Sequence, residues 1–327
     1  MHVSTVIAVT VSFMLFLVGI LSIVLIVANE ESVRYSFFNP IKWGHDKLVF
    51  NHRSRIGNLP DSLVKYDSFN LELSSYCAYL IENVYAKQMN VKGTVLHKRV
   101  NYNRSDSESS TFAYVLTKGN VIYIPFRGTG QLVEWLNNVE TSQDNYTLAK
   151  KSYANTPSFM RSNHGIMVHH GFLGTYNRIS SQIIGIVETL METNPDYQIC
   201  ITGHSMGGSV AAIFAAQFHF MGYQNIVCYL LGTPRTGNEA FADYIENCEN
   251  LNMYAIMNTE DIFTQAVPAV SPNMSQHNKP YFYSFCGQTI YFTENWYSNY
   301  LNHAIVIYSK AVETDVHPVD SNEREDS

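Results

Sequence analysis

The sequence predicts an α/β fold in which a largely parallel sheet is covered by helices on both faces. Stretches with helical spacing of apolar residues alternate along the chain with short apolar runs typical of buried strands. Within residues 200–209, CITGHSMGGS, a serine stands between glycines where a strand-like run gives way to a small-residue helix. With 327 residues and 46% hydrophobic side chains, the chain can bury one sizeable core but not several ordinary domains.

The N-terminal residues 1–28 are predicted to form a transmembrane anchor or a signal sequence. No charged residue occurs from Val6 to Val27, and a helix of that length spans about 30 Å, the thickness of a bilayer core. A secretory h-region is shorter, about 7–15 residues, so a single-pass membrane anchor is the first interpretation. Secretion after cleavage near Ala28 is the alternative. Residues 29–68 are predicted to form a polar juxtamembrane linker.

The orientation of such an anchor stays open. The basic residues that follow the run favour a cytosolic body. Three glycosylation sequons favour the lumen instead, although each such motif is only a hypothesis.

The folded domain is expected over residues 69–310, and its elements follow from the pattern of apolar residues. Helical spacing predicts helices over residues 71–87 and 172–192. Strands are predicted over residues 111–117 and 120–126, joined by a Lys-Gly-Asn hairpin turn. The alternating elements beyond them are a strand at 197–202, a helix at 209–218, a strand at 226–231, a helix at 240–248 and a strand at 252–257.

Charge and cysteine content exclude several classes of protein. The formal net charge is −7 without any basic block, which argues against a nucleic-acid partner. Much of the acidic excess lies in residues 311–327, which we expect to be a disordered tail. Five cysteines without a CxxC or Cys/His cluster predict no structural metal. We expect Cys200 and Cys228 to be buried thiols, with a Cys248–Cys286 bridge left open.

Ser205 has the surroundings of a nucleophile. Residues 203–207 fit the pattern G-x-S-x-G, in which the serine occupies the tip of a strained strand-to-helix turn that needs glycines on either side. A tetrahedral intermediate on Ser205 would need two backbone N–H donors for its oxyanion. Met206 would supply one, and the loop that ends the strand at residues 126–129 is the natural source of the other.

A serine hydroxyl also needs a base and an acid that orients the base. In this architecture the acid and then the histidine follow the serine along the chain. His303 lies in a loop near the end of the core and is preferred to His277, which lies in a polar loop. Glu260 and Asp261 both follow a predicted strand, so position alone does not choose between them.

Several linked motifs resemble those of the class 3 lipases, the fungal-lipase-like branch of the α/β hydrolases. The resemblance covers roughly residues 70–310, and its pieces occur in the family's order. They are SYCAYL (75–80), IYIPFRGT (122–129), VHHGFLGTY (168–176), ITGHSMGG (201–208), GTPRTGNEAFADY (232–244), NTEDIF (258–263) and LNHAIVIY (301–308).

The resemblance implies an α/β-hydrolase fold and a triad of Ser205, Asp261 and His303, which settles Asp261 over Glu260. It also implies that Thr129 and Met206 form the oxyanion hole. Met206 stands where leucine is usual in the family, but its backbone N–H is what the hole requires.

The resemblance further implies a lid helix after the oxyanion loop, over residues 130–136. Leu132 and Trp135 are then lid residues that contact substrate, whereas core packing is the alternative for Trp135. The segment between this lid and His169 is longer and more polar than in secreted fungal members, which leaves the size of the lid open. His169 matches a family histidine with a structural role.

The predicted function is that of a lipase, a carboxylic-ester hydrolase that cleaves acylglycerols through an acyl-enzyme. Its partners would be a lipid substrate at a lipid interface and a membrane that holds the N-terminal helix, with no metal or cofactor. A phospholipase or galactolipid acyl hydrolase with the same triad is one alternative. A catalytically inactive, membrane-anchored binding protein is another, although every triad position is filled by a competent residue.

Overall fold

The structure is a computed structural model that describes residues 59–63, 68–102, 111–129, 142–146, 165–274 and 280–313. Its strands are β1 (Val95–Asn101), β2 (Thr111–Lys118), β3 (Val121–Phe126), β4 (Gln143–Asn145), β5 (Met167–His169), β6 (Gln198–His204), β7 (Ile226–Leu231), β8 (Leu251–Asn258), β9 (Val270–Met274), β10 (Pro280–Phe282) and β11 (Gln288–Phe292). Its helices are α1 (Leu71–Tyr85), α2 (His170–Thr193), α3 (Met206–Phe220), α4 (Glu239–Glu246), α5 (Asn299–His303) and α6 (Ile305–Glu313), and Ile262–Gln265 is a 3₁₀ turn.

Four predicted segments lie wholly or mostly outside the described residues. They are the N-terminal helix at 1–28, the linker at 29–68, the lid helix at 130–136 and the tail at 311–327. The start of the tail was predicted wrongly, because Ala311 and Val312 are buried in the last turn of α6. Within the described residues, no helix is both long and apolar enough to cross a membrane.

The central sheet has the strand order β1-β2-β3-β6-β7-β8-β11. The hairpin of β2 and β3 is antiparallel, as is the pairing of β1 with β2, whereas β3, β6, β7, β8 and β11 run parallel. The prediction of a mostly parallel sheet is therefore confirmed. All five parallel strands end at the same edge, where open α/β sheets place their ligands.

Two layers of helices cover the two faces of this sheet. Helices α2, α3 and α4 pack on one face, and α1 and α6 pack on the other. Alternate residues of β3 divide between the layers, with Ile122 and Ile124 on the first side and Val121 and Tyr123 on the second. A strand buried on both faces must be apolar at every position, which explains its unbroken hydrophobic run.

The predicted helices are present with small shifts at their ends. Asn70 begins α1, where its Oδ1 accepts a hydrogen bond of 2.8 Å from the N–H of Leu73. Helix α3 begins at Met206, three residues before the predicted start, because the chain turns into the helix directly after Ser205. Strand β3 continues through Pro125 to Phe126, as the predicted strand at 120–126 requires.

Residues 59–63 precede the expected start of the domain, yet they pack against the sheet. Leu59 and Leu63 are buried in the core cluster of α1 and α6. The N–H of Leu63 also donates to Oε1 of Gln198 at the start of β6. The packed core therefore begins before residue 69.

The Cys248–Cys286 disulfide that the sequence left open is not formed. Cys248 and Cys286 are both free thiols. Cys248 instead donates from its Sγ to the carbonyl of Tyr244, at 3.0 Å. Cys200 and Cys228 are buried in the sheet, as we expected.

Candidate active site

Ser205 occupies a strained turn between β6 and α3. Its φ of 56° and ψ of −132° lie in a region that residues with a side chain seldom adopt. Two backbone hydrogen bonds hold it there. Its N–H donates to the carbonyl of Leu231 on β7 at 3.0 Å, and its own carbonyl accepts from the N–H of Gly208 at 2.9 Å.

The glycines beside Ser205 are required by close backbone approach. A Cβ on Gly203 would collide with the carbonyl of Gly207, and a Cβ on Gly207 would collide with the carbonyl of Arg127. Residue 207 is thus where the turn meets the loop that follows β3. These contacts explain both glycines of the pattern by packing rather than by flexibility.

The three predicted triad residues lie within hydrogen-bond distance of one another. The Nε2 atom of His303 is 2.8 Å from Oγ of Ser205, and its Nδ1 atom is 2.6 Å from Oδ2 of Asp261. Ser205 follows β6 and Asp261 follows β8, whereas His303 ends α5 beyond β11, so all three meet at one edge of the sheet.

All three side chains are buried, with exposed fractions of 4% for Ser205, 2% for Asp261 and 3% for His303. A carboxylate accepts but does not donate, so the Nδ1 atom of His303 carries the proton shared with Asp261. Its Nε2 atom is then free to accept the proton of the Ser205 hydroxyl, as a general base must.

Two further donors hold the carboxylate of Asp261. Its Oδ1 accepts from the N–H of Phe263 at 2.9 Å, and its Oδ2 accepts from the hydroxyl of Tyr308 at 2.6 Å. Burial, followed by the charge of Asp261, raises the pKa of Tyr308 well above its usual value. Tyr308 therefore keeps its proton and remains a donor.

Two buried asparagines join the loop of the acid to the loop of the base. Asn258 donates from Nδ2 to the carbonyls of Glu294, at 2.8 Å, and Asn302, at 3.2 Å. Asn302 in turn donates to the carbonyl of Glu260 at 3.1 Å and accepts from the N–H of Trp296 at 2.8 Å. The positions of Asp261 and His303 are thus linked through side chains that satisfy buried backbone groups.

The rejected acid and base candidates lie elsewhere. The carboxylate of Glu260 accepts a hydrogen bond of 3.0 Å from Asn295, on the loop beyond β11. His277 lies outside the described residues.

The loop after β3 lies directly beside Ser205. A Cβ on Gly128 would lie 2.9 Å from Cβ of Ser205. Arg127 braces this loop, because its N–H donates to the carbonyl of Phe112 at 3.0 Å and its guanidinium donates to the carbonyls of Thr111 and Gly128. Thr129 comes next along the chain, and Met206 begins α3 on the other side of Ser205. Leu132 and Trp135 lie outside the described residues.

Besides Tyr308, sequence reasoning missed Tyr85 and His204, which the structure places at this site. Tyr85, the last residue of α1, bonds both to Gly128 and to His204. His204, the variable residue before the nucleophile in the pattern, reaches the carbonyl of His303. His204 lies within the quoted motif ITGHSMGG, but the motif gave it no role, and the resembling segment 75–80 ends before Tyr85.

The site residues do not form a metal centre. Across the described ranges, no group of three or more His, Cys, Asp or Glu side chains is arranged to hold a metal ion. His169 serves a structural purpose, since its Nδ1 accepts from the N–H of Gly171 at the start of α2.

Comparison with known proteins supports the resemblance found in the motifs. Residues 123–271 match the family described as Lipase (class 3). A lipase of Rhizomucor miehei is 28% identical over 152 residues, which are 45% of this chain and 38% of that protein. A secreted mono- and diacylglycerol lipase of Fusarium solani is 30% identical over 135 residues, which are 41% of this chain and 36% of that protein. The chain thus spans less than half the length of these curated relatives.

The fold is also shared with a solved structure. The triacylglyceride lipase of Rhizomucor miehei matches with a TM-score of 0.54 at 20% identity, over 68% of this chain and 80% of that chain. At this identity the likeness shows the fold, which is that of the α/β hydrolases.

Proposed function

We propose that this chain, a relative of the class 3 lipases, is a serine esterase that hydrolyses the carboxylic ester bonds of acylglycerols. One observation carries the proposal. The Oγ of Ser205, the imidazole of His303 and the carboxylate of Asp261 form a continuous hydrogen-bonded chain at a strained strand-to-helix turn. That arrangement is the one that acyl transfer by serine needs.

The chemistry follows from the proton positions in this chain. His303 takes the Ser205 proton at Nε2 while Oγ attacks the ester carbonyl, and Asp261 stabilises the imidazolium that forms. The N–H groups of Thr129 and Met206 bind the oxyanion of the tetrahedral intermediate. His303 then returns the proton to the departing alkoxide, which leaves an acyl-enzyme. A water molecule, deprotonated by His303, attacks the acyl carbonyl. The bond from the acyl group to Oγ of Ser205 then breaks, Oγ regains a proton from His303, and the fatty acid is released.

Support for a lipid substrate comes from the segments that carry Asp261 and His303. Ile262 follows Asp261, and Trp296 and Leu301 precede His303 along the chain. Their side chains are 46%, 45% and 46% exposed and offer apolar surface to an acyl chain. The matched relatives include a mono- and diacylglycerol lipase. Together these favour an acylglycerol over a small soluble ester as the substrate.

The test compares Ser205→Ala with the wild type. We expect the variant to lose at least about 10⁴-fold in kcat against p-nitrophenyl butyrate, since the nucleophile, base and acid act as one unit. A fluorophosphonate should label the wild type and not the variant. Ser209→Ala is the matched control, because its hydroxyl lies one turn further along α3 and meets no partner among the described residues.

Two results would contradict the proposal. Hydrolysis by Ser205→Ala at the wild-type rate would remove Ser205 from the nucleophile's role. A wild type that is neither labelled nor active would indicate the inactive binding protein instead. Rates on triolein emulsion, monoolein and phosphatidylcholine vesicles then separate an acylglycerol lipase from a phospholipase.

We also propose that residues 1–28 bring the enzyme to its substrate, either as a single-pass anchor or as a signal that is cleaved near Ala28. The uncharged run from Val6 to Val27 supports both. The N-terminal sequence of the mature protein, together with its extraction from membranes by alkaline carbonate, distinguishes them. An intact N-terminus in the membrane fraction favours the anchor.

A further inference from the structure

A chain of hydrogen bonds connects the loop after β3 with the loop that carries the base. The N–H of Gly128 is 2.8 Å from the hydroxyl oxygen of Tyr85, and that hydroxyl is 2.7 Å from Nδ1 of His204. The Nε2 atom of His204 is 2.8 Å from the carbonyl oxygen of His303. The chain passes behind Ser205, because His204 is the residue immediately before it.

The direction of every bond in this chain follows from its ends. A carbonyl can only accept, so Nε2 of His204 carries a proton and donates to His303. Burial, followed by the neighbouring His303, lowers the pKa of His204 well below its usual value, so its ring is neutral. A neutral ring has one bare nitrogen, and Nδ1 therefore accepts from Tyr85. The oxygen of Tyr85 accepts from the N–H of Gly128 in turn.

We propose that Tyr85 and His204 are positioning residues. They hold two loops in place relative to Ser205: the oxyanion loop, which follows β3 and carries Gly128 and Thr129, and the base loop, which carries His303. The proposal rests on the proposed esterase function. Neither side chain touches a reacting atom in this arrangement. Each acts on a backbone group beside one, Gly128 next to Thr129 and the main chain of His303 itself.

The geometry explains why the two loops need such a link. Gly128 lies beyond the end of β3, so its N–H has no ladder partner and is bound by Tyr85. That bond orients the peptide before Thr129, whose N–H is the proposed oxyanion donor. At the other end, the carbonyl of His303 is the last of the short helix α5 and accepts from His204. Tyr85 comes from α1, which packs on the opposite face of the sheet from α3.

Because the groups in this chain of hydrogen bonds are buried, the bonds favour a single arrangement of the side chains. His204 is 3% exposed, and its ring lies between the rings of Tyr85, at 5.8 Å between centroids, and His303, at 4.8 Å. With little access to solvent, water cannot readily replace a lost bond. A substitution at Tyr85 should therefore displace the oxyanion loop, because water does not replace the lost hydrogen bond.

The first test is Tyr85→Phe in the full chain, which removes the hydroxyl and keeps the ring. We expect kcat for p-nitrophenyl butyrate to fall by about tenfold to a hundredfold with KM unchanged, since a misplaced oxyanion donor weakens only the transition state. The rate is expressed per site labelled by a fluorophosphonate, so that unfolded protein does not count. Tyr76→Phe is the matched control, because that tyrosine also lies on α1 but its hydroxyl donates to Glu72. A kcat per labelled site within about twofold of the wild type in Tyr85→Phe would overturn the proposal.

The second test asks whether the two residues act as one unit. In His204→Gln the side-chain amide can still reach the carbonyl of His303, in place of Nε2. In His204→Asn the shorter side chain places its amide near the position of Nδ1, which faces Tyr85. Both variants should lower kcat. The double variant Tyr85→Phe/His204→Gln should lose little more than the worse single variant. Losses that multiply would show two independent residues and would contradict a shared chain.

A spectroscopic readout separates this proposal from the esterase function. In the ¹⁵N NMR spectrum of histidine-labelled protein, His204, assigned with His204→Asn, should be the Nε2–H tautomer. Its Nδ1 shift should change in Tyr85→Phe. An Nδ1–H tautomer, or a spectrum unaffected by Tyr85→Phe, would overturn the hydrogen-bond chain whether or not the protein cleaves esters. Failure of the wild type to hydrolyse esters would instead overturn the proposed function.

Discussion

Asp261 binds His303 through Oδ2, and Tyr308 donates to that same oxygen. The hydroxyl of Tyr308 also accepts from the N–H of Asn258, at 3.2 Å, so it is fixed relative to the end of β8. Tyr308 thus helps to orient the carboxylate through the same oxygen that binds the imidazole. Such a bond to a charged, buried acceptor stabilises a protein by about 1.5–3 kcal/mol.

We predict that Tyr308→Phe lowers both the stability and the activity of the enzyme. The free energy of unfolding should fall by about 1.5–3 kcal/mol in urea titrations. The kcat should fall by about tenfold with little change in KM, because an unheld carboxylate orients the imidazole less well. Tyr223→Phe, in the loop beyond the far end of α3, is the control and should match the wild type in kcat. Unchanged kcat in Tyr308→Phe would show that the N–H of Phe263 suffices to hold Asp261.

Single residues also show where sequence reasoning reaches its limit. The pattern around Ser205 is local, so it could be found directly. Position along the chain favoured His303 over His277, whereas the choice of Asp261 over the adjacent Glu260 needed the family resemblance. Tyr85 and Tyr308 could not be found, since Tyr85 meets His204 across 119 positions of the chain and Tyr308 meets Asp261 across 47. No local pattern encodes such pairs.

Among the elements, strands buried on both faces were the easiest to predict and edge strands the hardest. The central strands β6 and β7 are fully buried and appear as unbroken apolar runs. Edge strand β1 begins with four exposed positions, includes Lys98 and Arg99, and pairs with β2 through two register shifts. Charges and irregular pairing protect an edge from aggregation, and they also remove the alternation by which a strand is recognised. Edge strand β11 has only five residues.

Two glycine-to-alanine substitutions should have opposite effects on stability. One lies at the turn between β6 and α3, and the other lies in α2. In Gly207→Ala the new Cβ would collide with the carbonyl of Arg127 and lie 3.1 Å from Cβ of Phe126. We expect a loss of stability of about 1–3 kcal/mol and a lower kcat, because Arg127 lies in the loop that carries Thr129, the proposed oxyanion donor. Gly185 is exposed within α2 and a Cβ there meets nothing within 4 Å. Gly185→Ala should therefore stabilise the protein by about 0.5–1 kcal/mol.

Urea midpoints and kcat measured on the two alanine variants check this prediction. The contrast is informative because both changes add one methyl group to a helix. A Gly207→Ala variant as stable as the wild type would mean that the loop after β3 can move away from the turn. In that case the loop would not be a rigid source of an oxyanion donor.

At the scale of the whole molecule, the site draws on the sheet and on the layer of helices formed by α1 and α6. The sheet brings Ser205 and Asp261 to one edge, while α1 supplies Tyr85 and α6 supplies Tyr308. Because α1 lies near the start of the domain and α6 at its end, the site is complete only when the chain has closed on itself. The fold class was predictable from alternating elements, but this closure depends on long-range pairs and was not.

The whole fold should lose stability in mild acid, since it buries neutral histidines. Burial, reinforced by the neighbouring His170 and opposed by Asp144, lowers the pKa of His169 to about 4. Burial also lowers the pKa of His204. In the unfolded chain the pKa of a histidine is about 6.5. The unfolded state thus binds more protons between about pH 6.5 and 4, so this stability is complete above pH 6.5 and is lost as the pH falls.

His169→Asn tests the contribution of that residue. The amide oxygen can accept from the N–H of Gly171 as Nδ1 of His169 does, at 3.1 Å, so the start of α2 stays capped. The wild type should lose stability between pH 7 and 5, and the variant should lose about 2 kcal/mol less, at 1.36 kcal/mol per unit of pKa. Urea titrations at the two pH values measure both losses. Gly185→Ala is the control, because it should shift stability equally at both pH values. An equal loss in His169→Asn and the wild type would mean that His169 is protonated in the folded protein at pH 5.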